Sequence, residues 1–133
     1  MSAKIFQLKL RIDWSDLDML GHVNNVSYFK FIQSSRLNYW EQFGIDVTQR
    51  PYPIGMMLAS CTCKFMKPLF YPGDITIKVS LDFIKNTSFG LHHQLLNDKN
   101  EVVAEAHDVA VMLDFSKNEK VSIPDELRKM MEG

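Results

Sequence analysis

Cysteine is scarce: the 133-residue chain holds two, Cys61 and Cys63, one residue apart on one strand face and poorly placed to bridge to each other. A disulfide framework is therefore excluded as the source of stability, and the pair reads as free thiols of a reducing compartment, with the cytoplasm as the expected location. No second Cys pair or closely spaced His pair completes a familiar ligand set, so neither a metal nor another cofactor is expected. An excess of one charge is also missing. Fifteen basic side chains meet 16 acidic ones for a formal net charge of −1, and no basic stripe offers a nucleic-acid backbone a footprint. Nowhere do about 18 apolar residues run together, and the N-terminus lacks the apolar segment of a signal peptide, so no membrane span is expected. No repeat or low-complexity tract divides residues 1–133, which read as one domain able to bury roughly 65–70% of its unfolded surface.

What the chain does have is methionine and phenylalanine, eight and nine of them, adaptable groups that fill cores and line pockets for apolar ligands. Its pattern begins with clean alternation over residues 5–14, with Phe6, Leu8, Leu10, Ile12 and Trp14 on one side and Lys9, Arg11 and Asp13 on the other, which predicts a half-wet strand. A turn crowded with acid, imidazole and carboxamide groups follows, Asp16 to Asn25, with Gly21 supplying backbone freedom. Ser15 and Asp18 stand in the spacing of a capping box. The period then changes to that of a helix over Val26–Phe43, capped by Asn24 or Asn25 and ended by Gly44. Its apolar stripe holds Tyr28, Phe29, Ile32, Tyr39, Trp40 and Phe43, leaving Phe31 and Leu37 outside; Arg36 lies within it and must snorkel or find a carboxylate.

Residues 44–53 read as a proline-marked loop beside a site. Four further strands are expected: Ile54–Met66, the alternating Ile75–Phe83, a stretch with Phe89, Leu91 and Leu95 inward, and Val102–Phe115, apolar on both faces as if covered above and below. Turn composition separates them at Phe70–Asp74, Asn86–Ser88 and Asn97–Asn100. A short amphipathic helix, Pro124–Met131, closes the chain. His92, His93 and His107 fall on strands far along the chain from the acidic turn and read as structural or surface residues.

The turn is the informative stretch, because a strand-to-helix junction sets side chains beside the unpaired N–H groups of a helix N-terminus, where developing negative charge is favoured. Two carboxylates at such a place suggest acid–base or nucleophilic work. Asp16-x-Asp18-x-x-Gly21-His22-Val23-Asn24-Asn25-x-x-Tyr28, followed by Arg36, closely resembles the signature of hotdog thioesterases related to 4-hydroxybenzoyl-CoA thioesterase. Pro68-Leu-x-x-x-Gly73-Asp74 resembles that family's turn between its second and third strands, and Ile123-Pro124 its ending. The resemblance implies an α+β hotdog fold, a five-stranded antiparallel sheet wrapped around one long helix. It also implies hydrolysis of an acyl-CoA, or acyl-carrier-protein, thioester.

By the same resemblance, Asp18 matches the catalytic carboxylate and Asn25 the helix-opening position whose backbone N–H meets the thioester oxygen. His22 and Asn24 belong to the His-Val-Asn-Asn variant, closer to the aliphatic acyl branches than to the 4-hydroxybenzoyl branch. Tyr28, Met56, Met57, Lys64 and Lys67 are the candidate substrate-binding residues, the lysines for coenzyme A phosphates. Alternatives are a hotdog hydratase or dehydratase of acyl thioesters and a non-catalytic acyl-CoA-binding module. An open five-stranded sheet has edges to protect, which predicts a homodimer or a dimer of dimers.

Overall fold

The alternation of the N-terminal segment makes a strand, β1, over Ile5–Arg11, with Phe6, Leu8 and Leu10 half-buried and their neighbours exposed. It is shorter than the sequence suggests. Asp13 accepts a hydrogen bond from the Ser15 N–H and caps a single helical turn, Trp14–Asp16, so the capping box is Asp13 with Asp16 and not Ser15 with Asp18. The turn swings Trp14 outward, 71% exposed, where alternation predicted an inward residue. The structure, a computed structural model, describes residues 4–45 and 54–133. Most of the loop expected over residues 44–53 thus lies outside the described residues.

Helix α1 runs Asn25–Glu41, with Asn24 as its N-cap accepting from the Val26 N–H at 2.6 Å. Beyond its end Gly44 takes a φ of +75°, the left-handed conformation that stops a helix at least cost for glycine. The buried side is Ser27, Tyr28, Phe31, Ile32, Ser35, Tyr39 and Trp40, while Phe29 and Leu37 are exposed. The expected stripe therefore needs rotating toward Phe31. The reason is that Ser27 and Ser35 face inward with hydrogen-bond partners for both hydroxyls, so polar residues occupy part of the buried face.

Strands β2 (Ile54–Phe65), β3 (Asp74–Ile84), β4 (Ser88–Leu96) and β5 (Val102–Asp114) complete the sheet, with a two-residue β6 (Glu119–Lys120) on β5. The order is β1-β3-β4-β5-β2, and every pairing is antiparallel. Ile75, Ile77 and Val79 of β3 and Phe89, Leu91, His93 and Leu95 of β4 are buried. On β5 the buried alternate residues include Ala104, Ala106 and Ala110, small side chains that give a helix room to approach. The other face of β5 is covered unevenly: Leu113 is buried, Val109 and Val111 are half-buried and Phe115, just beyond the strand, is exposed.

Helix α2 (Asp125–Glu132) lays Leu127 and Met131 into a cluster with Trp40 and Phe89. Full burial of such a side chain contributes roughly 1.5–3 kcal/mol. The sheet carries three irregularities among its described residues, between Leu58 and Ser60 on β2, between Leu81 and Phe83 on β3 and between Leu95 and Leu96 on β4. Helix α1 packs most closely on β3, β1 and β4, and reaches β2 through Tyr28 and Phe29 against Phe65. Two separate cavities lie along the seam between α1 and β2, and the acidic turn borders one of them.

Candidate active site

The two acids of the turn differ in burial and in hydrogen bonding. Asp16 is buried, 5% exposed, and its carboxylate accepts from the Asp13 N–H at 2.8 Å and from the Ser27 hydroxyl at 2.8 Å. Its backbone carbonyl takes the Asn24 N–H at 2.9 Å, so Asp16 ties the turn to the first turn of α1 twice over. Asp18 is exposed. One of its oxygens accepts the Leu20 N–H at 2.9 Å, while its backbone exchanges bonds with His22 and Gly21 across a tight loop that Gly21 closes at φ +80°.

A cavity of about 350 Å³ opens beside this loop, lined by Asp18, His22, Asn25, Tyr28, Phe65 and Lys67 among others. Asn24 satisfies the Val26 N–H with its side chain and the Ser27 N–H with its carbonyl. The N–H of Asn25, in the helix's first turn, has no intrahelical acceptor. His22 stands edge-on to Phe70 with ring centroids 5.1 Å apart. Tyr28 is buried, meets Phe65 edge-on at 4.9 Å, and reaches the Lys67 carbonyl with its hydroxyl at 3.4 Å. Burial pushes its phenol above the ordinary value, which keeps it protonated and a donor.

The structure thus brings five of the sequence-predicted residues to one cavity: Asp18, His22, Asn25, Tyr28 and Lys67. Asn24 stands behind them as the cap. Lys67 is engaged with Glu101 at 2.7 Å, a pairing that holds the Glu101 carboxyl below its usual range. Lys64 is exposed on β2 opposite Glu105, outside this cavity. Met56 lines a different cavity of about 240 Å³ farther along the seam, and Met57 is half exposed. Phe65 does not stand out in the sequence, and Pro68 does so only as the start of a turn motif; what marks both as lining residues is their position, at the end of a strand and the turn that follows it.

Cys61 and Cys63 are half-buried free thiols against the core. Burial, reinforced by the neighbouring Asp108 carboxylate, pushes Cys61 up to about 12, and burial raises Cys63 as well. Both are protonated and poorly nucleophilic at neutral pH. Among the described residues no group of three or more His, Cys, Asp or Glu side chains is arranged to hold a metal ion.

An exposed carboxylate beside an open helix N-terminus, over a cavity with an apolar wall, is an arrangement for attack on a polarised carbonyl. The model of the thioesterase-like superfamily matches residues 12–131. The chain belongs to that superfamily. It is a thioester hydrolase with the hotdog fold. Long-chain acyl-CoA thioesterase FadM of Escherichia coli is 23% identical over 128 residues, covering 95% of this chain and 96% of the relative. A gentisyl-coenzyme A thioesterase structure superposes with a TM-score of 0.81 at 25% identity, over 94% of this chain and 99% of the other. A predicted thioesterase from Bacillus stearothermophilus superposes with a TM-score of 0.88 at 21% identity, over 96% and 94% of the two chains. The thioesterase has no helix among its described residues long and apolar enough to cross a membrane.

Proposed function

We propose that the chain hydrolyses acyl thioesters of coenzyme A or of acyl carrier protein, with Asp18 acting on the carbonyl and the N-terminus of α1 receiving the oxyanion. The observation that carries this reading is the division of labour between the two acids: Asp16 is consumed by structure and Asp18 is exposed at the cavity. Asp18 either attacks the carbonyl carbon itself or removes a proton from an attacking water. In both cases the carbonyl oxygen gains charge that the Asn25 N–H receives, the C–S bond breaks, the thiol leaves with a proton, and water supplies the oxygen of the free acid. One such donor is typically worth about 10²–10³ in rate. His22, half-buried beside Phe70 on the same cavity, orients the carboxylate or the water. Tyr28 shapes the acyl side, and Lys67 at the cavity mouth meets the coenzyme A phosphates once Glu101 yields it.

The working form in this reading is a homodimer, or a dimer of dimers. Strand β2 lies at one end of the described sheet order, and it and the adjoining face of α1 expose Met57, Leu58, Phe65, Phe29 and Leu37, a patch that one protomer can offer to another. The free, half-buried thiols suit the cytoplasm.

The test is release of free thiol from a panel of acyl-CoAs, short to long and including an aromatic member, with the carrier-protein thioesters alongside. Hydrolysis that vanishes with Asp18→Asn is expected. Hydration of crotonyl-CoA without thiol release would move the chain to the hydratases, and tight acyl-CoA binding with no turnover would make it a binding module.

A further inference from the structure

Along the seam between α1 and β2, toward the C-terminal half of the helix, lies the second cavity, of about 240 Å³. Trp40, Met56, Leu58 and Leu91 make much of its wall apolar, yet Gln33, Arg36 and Asp108 also line it. The charged pair is built with care. Arg36 meets Asp108 side-on, Nε to Oδ2 at 2.8 Å and Nη2 to Oδ1 at 3.0 Å. Asp108 Oδ2 also bonds His93 Nε2 at 2.7 Å, and His93 Nδ1 bonds the Ser35 hydroxyl at 2.8 Å. His93, Ser35 and Asp108 are all at most 1% exposed.

This chain of bonds fixes the guanidinium in one orientation and uses one side of its fork. The Nη1 end has no oxygen or nitrogen partner among the described residues, the Cys61 thiol being the further group that meets the guanidinium, and it is not sealed away, since the Arg36 side chain is 20% exposed. A guanidinium carries five N–H donors in a rigid array. An apolar chain end laid over that donor would cut it off from water and leave it unpaired, whereas an oxygen on the chain would accept from it. The acceptor suited to this place is neutral, because Arg36 and Asp108 already balance each other and a second carboxylate would lie beside Asp108.

We propose that Arg36 is a specificity-determining residue, whose free Nη1 end binds a hydroxyl or oxo group carried on the acyl chain far from the thioester. The inference rests on the proposed thioester hydrolysis for the direction in which the chain runs. With the carbonyl at Asn25, Arg36 lies eleven residues on, about 16 Å along the helix axis. Short acyl groups do not reach it. Medium and long chains do, lying against the apolar wall with their oxygen at the guanidinium.

The experiment compares kcat/KM for hexanoyl-, decanoyl- and dodecanoyl-CoA with that for their ω-hydroxy, ω-oxo and ω-carboxy counterparts. The ω-hydroxy or ω-oxo form of at least one longer chain is expected to be preferred by about tenfold or more, as a hydrogen bond to a charged donor warrants. The hexanoyl pair should differ by less than about twofold. In Arg36→Met/Asp108→Leu, which removes both charges together so that neither is stranded, the preference should collapse toward one; being a ratio, it is unaffected by the fraction of folded enzyme. No preference at any longer length, preference for the ω-carboxy form, or a preference surviving in the double variant overturns the inference. Calorimetric binding of free dodecanoic and ω-hydroxydodecanoic acids runs in parallel. If no thioester is hydrolysed but the hydroxy acid still binds more tightly by about tenfold, the functional reading fails and Arg36 keeps its role. Equal binding of the two acids counts against Arg36 whatever the turnover.

Discussion

Asp108 on β5 and His93 on β4 meet through a 2.7 Å hydrogen bond between Oδ2 and Nε2, with neither side chain more than 1% exposed. Burial works to raise the Asp108 pKa, and the hydrogen bonds and charges of His93 and Arg36 overcome it, holding the carboxyl well below the usual range. A folded-state pKa below the unfolded one means stability that is complete above the unfolded value of about 4 and is lost as pH falls below it. The stability gap between wild type and Asp108→Leu, from urea midpoints, should therefore shrink as pH drops from about 4 toward 2. A gap independent of pH would show that the carboxylate is not the stabilising form.

The same network predicts a non-additive pair. Asp108→Leu alone leaves Arg36 uncompensated and His93 without its acceptor, and should cost about 3–5 kcal/mol. Adding Arg36→Met should recover at least about half of that loss. Simple additivity in chemical denaturation would refute the coupling.

Removing charge at the two turn acids should give opposite signatures. In Asp18→Asn kcat should fall by at least about 10²-fold with little change in melting temperature. Asp16→Asn should instead lose stability, about 1–3 kcal/mol, with turnover per folded molecule largely kept, because its oxygens accept the Asp13 N–H and the Ser27 hydroxyl. Asp18→Ala guards against deamidation of the asparagine variant. Near wild-type turnover in both Asp18 variants would end the mechanism, and a large kinetic loss at Asp16 alone would move it to the other acid.

The thiols should be dispensable. Cys61→Ser/Cys63→Ser should retain turnover per folded molecule, and iodoacetamide at pH 8 should modify the native protein far more slowly than a free thiol, since Cys61 is pushed up to about 12. Rapid alkylation that tracks loss of activity would contradict this.

Gly90 offers a packing test away from the site. It pairs with Phe83 across the irregularity between β3 and β4, and a Cβ added there would collide with the edge of the Phe83 ring. Gly90→Ala should destabilise by about 1–3 kcal/mol in thermal or urea unfolding. A neutral result would mean that the half-buried ring moves aside freely.

Strand β3 and helix α1 were legible because their periods are long and regular, and the Asp-x-Asp turn because its residue types are rare together. The choice of Asp18 over Asp16 came from resemblance; the geometry now gives Asp16 a separate structural occupation through Ser27, eleven residues on, which no local pattern announces. The capping frame was misjudged for the same reason. Asp13 with Asp16 and Ser15 with Asp18 have equal spacing, and a contact from α1 favours the first. His93 was readable in part, since it alternates with Phe89, Leu91 and Leu95 and so had to face inward. Its partner was not. Asp108 comes within reach only through the β4–β5 register, which sets Leu91 opposite Asp108 and His93 opposite Ala106.

Because the turn owes much of its shape to Asp16, position 18 behaves as a socket whose occupant can be exchanged. In Asp18→Cys a solvent-facing thiol would stand at the cavity mouth while the two native thiols stay half-buried and protonated. A maleimide dye would then mark one address on the molecule. Its emission would report acyl-CoA occupancy with hydrolysis switched off, turning the catalyst into a sensor.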